Sequence, residues 1–221
     1  MKKCQVIEAS RHICKSFVLL FTVMRVILIH GFNASPETNF HPWLKDQLHA
    51  KGFDVLTPTL SLTTKDLDLP AVIEQMKEQV GYLSSDDVIL GHSLGAFVIL
   101  QYLEAVEMTE TPRAVIMVAP PWKVSNPELR RMFIADLDAD VLMWKAREYV
   151  IVHSKDDTLV PIDHGRRFAK ALKAKLLEVD GQGHFMDGEY PVLLEEIERI
   201  SNTPFEFAPG ETLEDEFKEL P

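Results

Sequence analysis

The pattern Gly-x-Ser-x-Gly occurs at residues 91–95 as Gly-His-Ser-Leu-Gly, between a short apolar run (87–90) and an amphipathic stretch (96–105). In this pattern the serine lies on a sharp, strained turn between a strand and a helix, with its hydroxyl exposed. Glycine is needed two residues before and two after it, because a side chain there would collide with the neighbouring strand or helix. A plain strand–turn–helix corner is the alternative, but both flanking elements are of the expected kind. The pattern therefore predicts that Ser93 is a nucleophile.

A serine hydroxyl is a weak nucleophile and needs a base within hydrogen-bonding distance, which a carboxylate in turn orients. Two later loops, 154–161 and 180–185, supply such groups in the order Ser, Asp, His. His184 is the predicted base because it lies on a Gly-rich loop after the last predicted strand. Neighbouring side chains face different ways, so only one of two adjacent carboxylates should reach it. We prefer Asp157 as the orienting acid and expect Asp156 to cap the loop or to face water.

The remaining histidines are weaker candidates for the base. His92 is predicted to point away from the nucleophile as its immediate neighbour, and His30 ends a strand beside the loop discussed next. A structural or surface role is expected for the others: His12, His41, His49, His153 and His164.

A tetrahedral intermediate on a serine needs backbone donors that point at its oxyanion. The amide of Leu94, directly after the nucleophile, is one predicted donor. The amide of Phe32, in the loop after the first predicted strand, is the other, and Gly31 would allow the backbone to come close. A simple strand-to-helix turn is the alternative for this loop.

Apolar runs alternate with helical patterns between residues 25 and 200. The predicted strands are 25–29, 55–56, 87–90, 114–119, 148–153 and 176–179. The predicted helices are 43–51, 70–83, 96–105, 168–172 and 192–200. This alternation predicts an α/β protein with three α/β/α layers around a mostly parallel sheet of about six strands. Segment 122–145 is predicted to be helical; it could cover the site but is too short for a large cap domain.

Composition and charge limit the partners. The chain has 221 residues, 46% of them hydrophobic and 26% charged, as in a soluble globular protein. Its net charge of −11 argues against nucleic acid or an anionic membrane as a partner. Cys4 and Cys14 form neither a disulfide framework nor a metal-binding pattern, so we expect the reducing cytoplasm. No metal, phosphate-loop or dinucleotide motif occurs, so we expect no metal and no cofactor. The oligomeric state stays open.

Several segments together resemble the α/β-hydrolase superfamily. They are residues 30–36 with 43–44, 91–95, 156–161 and 183–185. The first of these narrows the resemblance to small cap-less serine hydrolases, the group around retinoblastoma-binding protein nine and bacterial YdeN. The resemblance implies a sheet without the first two antiparallel strands of larger hydrolases, and Ser93, Asp157 and His184 as a triad. The Leu-x-Cys-x-Glu element for retinoblastoma binding is absent, so that role is not expected.

The resemblance covers residues 24 to about 200, and we assign 24–203 to an α/β-hydrolase domain. Residues 1–23 are predicted to be an N-terminal extension, because their faint likeness to a signal peptide lacks the usual layout and cleavage site. Residues 204–221 are predicted to be an acidic tail, either solvated or lying along the surface.

We expect a serine hydrolase that cleaves small carboxylic esters through an acyl-enzyme on Ser93. Amide or thioester hydrolysis stays open, as does a catalytically silent binding module, because fold and triad do not separate these functions. Fewer than thirty residues lie between positions 119 and 148, which predicts a shallow pocket and short acyl chains. The aromatic residues predicted to line that pocket are Trp43, Trp122 and Phe185.

Overall fold

The computed structural model describes residues 23–133 and 137–204. The strands in these ranges are β1 (Arg25–Ile29), β2 (Asp54–Leu56), β3 (Asp87–His92), β4 (Ala114–Val118), β5 (Tyr149–Ser154) and β6 (Lys175–Val179). The α-helices are α1 (His41–Ala50), α2 (Leu69–Val80), α3 (Leu94–Ala105), α4 (Ala139–Leu142), α5 (Asp163–Ala171) and α6 (Pro191–Asn202). The strands form one sheet in the order β2-β1-β3-β4-β5-β6, and every pairing is parallel.

Alternate side chains of each strand build two apolar layers, one on each face of the sheet. On β1, Ile27 and Ile29 face the layer covered by α2, α3 and α5, whereas Val26 and Leu28 face the layer covered by α1 and α6. The two-residue repeat of a strand produces this division. It also explains why the central strands are almost uninterrupted apolar runs, since both of their faces are buried.

The parallel arrangement brings the candidate residues to one edge of the sheet. Phe32 follows β1, Ser93 follows β3, Asp157 follows β5 and His184 follows β6. The carboxyl ends of parallel strands lie at the same edge, which is where open α/β sheets bind their ligands. The fold therefore places residues that are far apart in sequence around one crevice.

The fold predicted from the sequence is confirmed: a six-stranded α/β sheet with helices on both faces and no large cap. Segment 122–145 differs from its prediction, because its described residues are mostly irregular. They contain a 3₁₀ turn, Leu129–Met132, and the short helix α4. Just before the 3₁₀ turn, the side chain of Asn126 accepts a hydrogen bond from the backbone N–H of Glu128 (2.9 Å), a local contact that competes with helix formation.

The domain boundaries remain predictions. All the elements above lie within the predicted domain, 24–203. The predicted extension (1–23) and acidic tail (204–221) fall almost entirely outside the described residues.

Candidate active site

Ser93 occupies a strained turn directly after β3. Its backbone has φ 52° and ψ −121°, a combination that residues with side chains rarely adopt. Its N–H donates to the carbonyl oxygen of Val118 on β4 (2.8 Å), which ties the turn to the middle of the sheet. Helix α3 begins at the next residue, Leu94. The turn therefore presents the serine at the carboxyl edge of the sheet.

The two glycines of the motif are required by close backbone approaches. A Cβ on Gly91 would lie 2.7 Å from backbone atoms of Ala96 in α3. A Cβ on Gly95 would lie 2.7 Å from the carbonyl oxygen of Ile29 on β1. Both distances are far inside the normal carbon contact distance of about 3.5–4.0 Å, and backbone atoms cannot easily move aside. Glycine at both positions lets α3 pack tightly against the sheet.

The imidazole of His184 joins Ser93 to Asp157. Its Nδ1 lies 2.7 Å from Asp157 Oδ2, and its Nε2 lies 2.9 Å from Ser93 Oγ. An ionised carboxylate only accepts hydrogen bonds, so Nδ1 carries the proton and Nε2 is free to accept from the serine hydroxyl. These contacts fix the imidazole in the tautomer and orientation that a general base for Ser93 requires.

Asp157 is buried and surrounded by donors. Its Oδ1 accepts from the backbone N–H groups of Leu159 (2.9 Å) and Val160 (2.8 Å), while Oδ2 faces His184. Burial alone would raise the pKa of this carboxyl. The hydrogen bonds from His153, His184 and Val160 outweigh that effect and hold the pKa well below its usual range. Asp157 is therefore an anion at any pH at which the protein would work.

The neighbouring Asp156 holds the loop that carries His184. Its Oδ1 accepts from the hydroxyl of Ser154 and from the backbone N–H groups of Gly181 (3.1 Å) and Gly183 (3.2 Å). The Ser154 hydroxyl bond is the main reason that the pKa of Asp156 is lowered. The two adjacent carboxylates thus face different partners: one orients the imidazole, and the other anchors its loop.

His153, at the end of β5, supports the acid and was not predicted to do so. Its side chain is fully buried, and its Nε2 lies 2.8 Å from the carbonyl oxygen of Val160 and 3.4 Å from Asp157 Oδ2. The carbonyl must accept, so Nε2 carries a proton that also points near the carboxylate. A histidine four residues before an aspartate is too common a pattern to have identified this contact from the sequence.

His92 contacts the backbone of His184, the proposed base. Its Nε2–H donates to the backbone carbonyl of His184 (2.8 Å), and the two rings lie 5.1 Å apart between centroids. Burial, and next the nearby charge of His184 when protonated, lower the pKa of His92 to about 3. A neutral His92 thus fixes the backbone of the base, a role that the sequence analysis did not foresee.

The two predicted oxyanion donors lie at the same crevice, since both Phe32 and Leu94 line it. Leu94 is the first residue of α3, where the N–H has no acceptor within the helix. The loop of Phe32 is held by its neighbours: His30 Nε2 accepts from the N–H of Leu60 (3.1 Å), and Asn33 N–H donates to the carbonyl of Leu62 (2.9 Å).

A cavity of about 660 Å³ opens above Ser93 and His184. This volume is in the usual range for a small-molecule site. One wall comes from the segment after β4, and another comes from the segment after β5. The residues of these two walls are Pro121, Lys123, Val124, Ser125, Asn126, Leu129, Leu159, Val160, Pro161 and His164.

The three aromatic residues predicted to contact substrate lie elsewhere among the described residues. Phe185 is fully buried in the layer beneath α6, where its ring contacts Tyr190 (4.9 Å between centroids). Trp43 is half-buried against the same layer. Trp122 packs on Phe168 (4.7 Å between centroids). None of the three is among the described residues that line the cavity, and their roles as substrate contacts remain predictions.

Comparison with known proteins places this chain in a family. The model of the family described as serine hydrolase matches residues 26–191. The chain belongs to the serine hydrolase family. YdeN from Bacillus subtilis (strain 168), which is named as a hydrolase, is 29% identical over 170 residues, or 75% of this chain and 87% of YdeN. These similarities support hydrolase activity for this serine hydrolase.

Solved structures agree with the assignment. The crystal structure of YdeN has a TM-score of 0.74 at 26% identity, covering 82% of this serine hydrolase and 100% of YdeN. Est1E from Butyrivibrio proteoclasticus has a TM-score of 0.62 at 18% identity, with 80% and 86% covered. The esterase RhEst1 from Rhodococcus sp. ECU1013 has a TM-score of 0.61 at 15% identity, with 81% and 91% covered. The last two similarities show the fold alone.

Two further observations concern the described residues only. They contain no group of three or more His, Cys, Asp or Glu side chains placed to hold a metal ion. They also contain no helix whose length and apolar character would let it cross a bilayer.

Proposed function

We propose that this chain is a carboxylesterase that cleaves small esters through an acyl-enzyme on Ser93. The observation that supports this proposal is the unbroken series of hydrogen bonds from Asp157 through His184 to Ser93, with distances of 2.7 and 2.9 Å. Each member has the protonation state that its role requires: an ionised acid, an imidazole with a free Nε2, and a serine hydroxyl as donor.

In the first half of the proposed reaction, Ser93 Oγ attacks the ester carbonyl while His184 Nε2 takes the hydroxyl proton. The backbone N–H groups of Phe32 and Leu94 stabilise the oxyanion that forms. The carbonyl then re-forms, the bond to the alcohol oxygen breaks, and His184 returns its proton to that oxygen. Asp157 stabilises the imidazolium throughout.

In the second half, water attacks the acyl carbon and gives a proton to His184. The bond from the acyl carbon to Ser93 Oγ breaks, and His184 returns the proton to that oxygen. A carboxylic acid leaves and the enzyme is restored. None of these steps needs a cofactor.

Replacement of Ser93 tests the proposal. Ser93→Ala should lower kcat for p-nitrophenyl butanoate by about 10⁴-fold or more, because no other group can form the acyl-enzyme. A fluorophosphonate probe should label the wild-type chain at Ser93 and leave the variant unlabelled. A folded Ser93→Ala variant with a near-normal rate would contradict the assignment.

The same probe separates the alternatives. A silent binding module would not be labelled, although its fold would be the same. An amide or thioester hydrolase would be labelled and would turn over matched amides or thioesters faster than esters. A cytoplasmic location remains a prediction.

A further inference from the structure

We propose that the cavity above Ser93 selects esters that carry a carboxylate away from the scissile bond, with Lys123 as the residue that binds this carboxylate. This inference rests on the proposed function, since it names the class of substrate for the same site. The supporting observations are the polar groups that line the cavity and the absence, among the described residues, of a hydrogen-bond or ion-pair partner for Lys123.

The charge of the cavity wall is opposite to that of the whole chain. The chain has a net charge of −11, but the described residues that line the cavity include Lys123 and no aspartate or glutamate. The net negative charge disfavours an anion at the surface in general, whereas an anion inside the cavity meets Lys123 and no carboxylate among the described lining residues. The local charge therefore favours an anionic group.

Among the described residues, no side chain or carbonyl group satisfies the ammonium group of Lys123. It is exposed on the cavity wall and makes no ion pair or side-chain hydrogen bond within the described part of the chain. Other lysines do make such contacts: Lys77 pairs with Glu74 (2.7 Å) and Lys155 with Asp180 (3.0 Å). The ammonium group of Lys123 is thus available to a ligand.

His164 and Asn126, which also line the cavity, each keep an N–H group that can donate a hydrogen bond to a ligand. His164 Nδ1 accepts from the backbone N–H of Trp122 (3.1 Å), so a neutral ring carries its proton on Nε2. Burial is the main cause that lowers the pKa of His164, which favours the neutral ring. Asn126 uses its side-chain oxygen to accept from Glu128 N–H, which leaves its amide NH₂ as a donor.

These groups match the chemistry of a carboxylate. A carboxylate accepts several hydrogen bonds, and bonds from a charged donor are about twice as strong as neutral ones. The cavity lining offers an ammonium, an imidazole N–H and an amide NH₂. We therefore expect the preferred substrate to be a half-ester of a dicarboxylic acid, or an ester of an alcohol that carries a carboxylate.

Two matched pairs of substrates show whether the preferred carboxylate lies on the acyl side or on the alcohol side of the ester. The first pair is 4-nitrophenyl hydrogen adipate and 4-nitrophenyl methyl adipate, which differ by the charge on the acyl side. The second is 4-butanoyloxybenzoate and its methyl ester, which differ by the charge on the alcohol side. The measured quantity is the ratio of kcat/KM for the charged substrate over the neutral one. In at least one pair, this ratio should exceed about 10, which corresponds to about 1.4 kcal/mol.

Variants connect the ratio to Lys123. Lys123→Met should lower it by about tenfold, and Lys123→Arg should retain most of it because the charge is kept. Lys77 is an exposed lysine of α2 that does not line the cavity, so Lys77→Met is the control and should keep the wild-type ratio. Raising the salt concentration should lower the ratio in the wild type and not in Lys123→Met.

Two results would overturn the inference: a ratio near one in both pairs, or equal ratios in the wild type and Lys123→Met. Failure of the proposed function looks different, because Ser93 would then contribute nothing to cleavage of either member of a pair.

A calorimetric titration of adipate into Ser93→Ala tests the anion site without any turnover. Loss of that binding in Ser93→Ala/Lys123→Met supports the site, and equal binding in both refutes it.

Discussion

Asp156 and Asp157 show how one position along a loop decides what a carboxylate does. Asp157 is buried and bonds to the ring of His184, while Asp156 is exposed and bonds to the backbone of the loop that bears this ring. Both support His184, but by different means. The side chain of Asp157 sets the proton position on the imidazole, and that of Asp156 sets the position of the main chain.

Replacing each carboxylate by an amide separates the two roles. Asp157→Asn should lower kcat for p-nitrophenyl acetate by about 10³- to 10⁴-fold, because an amide stabilises neither the required tautomer nor the imidazolium. Asp156→Asn is the matched control and should stay within about tenfold of the wild type, since an amide oxygen can still accept from Gly181 and Gly183. Rates at neutral pH on variants with native circular dichroism check this. The reverse order would identify Asp156 as the acid.

The order and type of these residues could be read from the sequence, but their surroundings could not. Gly-x-Ser-x-Gly and the two later loops predicted which side chains to compare. Whether a neighbouring residue faces the site depends on the local backbone. Phe185 follows the proposed base yet turns into the core at a positive φ of 56°. His92 was expected to point away from the nucleophile, and His153 to have a structural or surface role; both contact the site from buried strand ends.

At the scale of elements, the strands and long helices were predictable because a continuous apolar run marks the central strands and a helical apolar repeat marks most of the long helices. The segment after β4 was not, because it has no sustained repeat and is held in place by tertiary packing. Met132 and Leu142 are fully buried anchors within it. Met132 ends the 3₁₀ turn and Leu142 ends the short helix α4. This irregular segment forms one wall of the cavity, which explains why the cavity lining was hard to foresee.

That wall leads to a prediction about neutral substrates. Each methylene that becomes fully buried contributes about 0.8 kcal/mol, but a methylene that extends beyond the cavity contributes nothing. A cavity of about 660 Å³ without a cap domain should therefore favour acetyl to butanoyl esters over long ones. Values of kcat/KM across p-nitrophenyl acetate, butanoate, octanoate and palmitate check this, with Ser93→Ala as the blank. A steady rise toward palmitate would contradict it.

At the scale of the whole molecule, two buried histidines connect stability to pH. His41 and His92 lie near each other, 6.3 Å apart between ring centroids. Burial lowers the pKa of His41 to about 4 and is the main cause that lowers that of His92 to about 3, from an ordinary value of 6.5. Below pH 6.5 the unfolded chain therefore binds protons that the folded chain does not. Stability is fully present above pH 6.5 and decreases as the pH falls from there toward the folded values.

The expected effect is measurable by urea unfolding between pH 7.5 and 5. Each of the two histidines should lower the free energy of unfolding by up to about 1.4 kcal/mol per pH unit once its unfolded form is protonated. His41→Phe should remove one contribution, because the ring stacks on Phe40 and phenylalanine can replace it there. His49→Gln, at an exposed position of the same helix, should keep the wild-type slope. An unchanged slope in His41→Phe would refute this explanation.

The ribosome also adds Ser93 and His184 at different times during synthesis of the chain. Ser93 and His184 are 91 positions apart, and the base follows the last strand of the sheet. At about 5–20 residues per second, a ribosome adds His184 about 5–20 s after Ser93. During that interval the emerging serine has no imidazole to take its proton and is as unreactive as any other hydroxyl. The topology thus delays the appearance of a reactive nucleophile until the sheet that holds it has been synthesised.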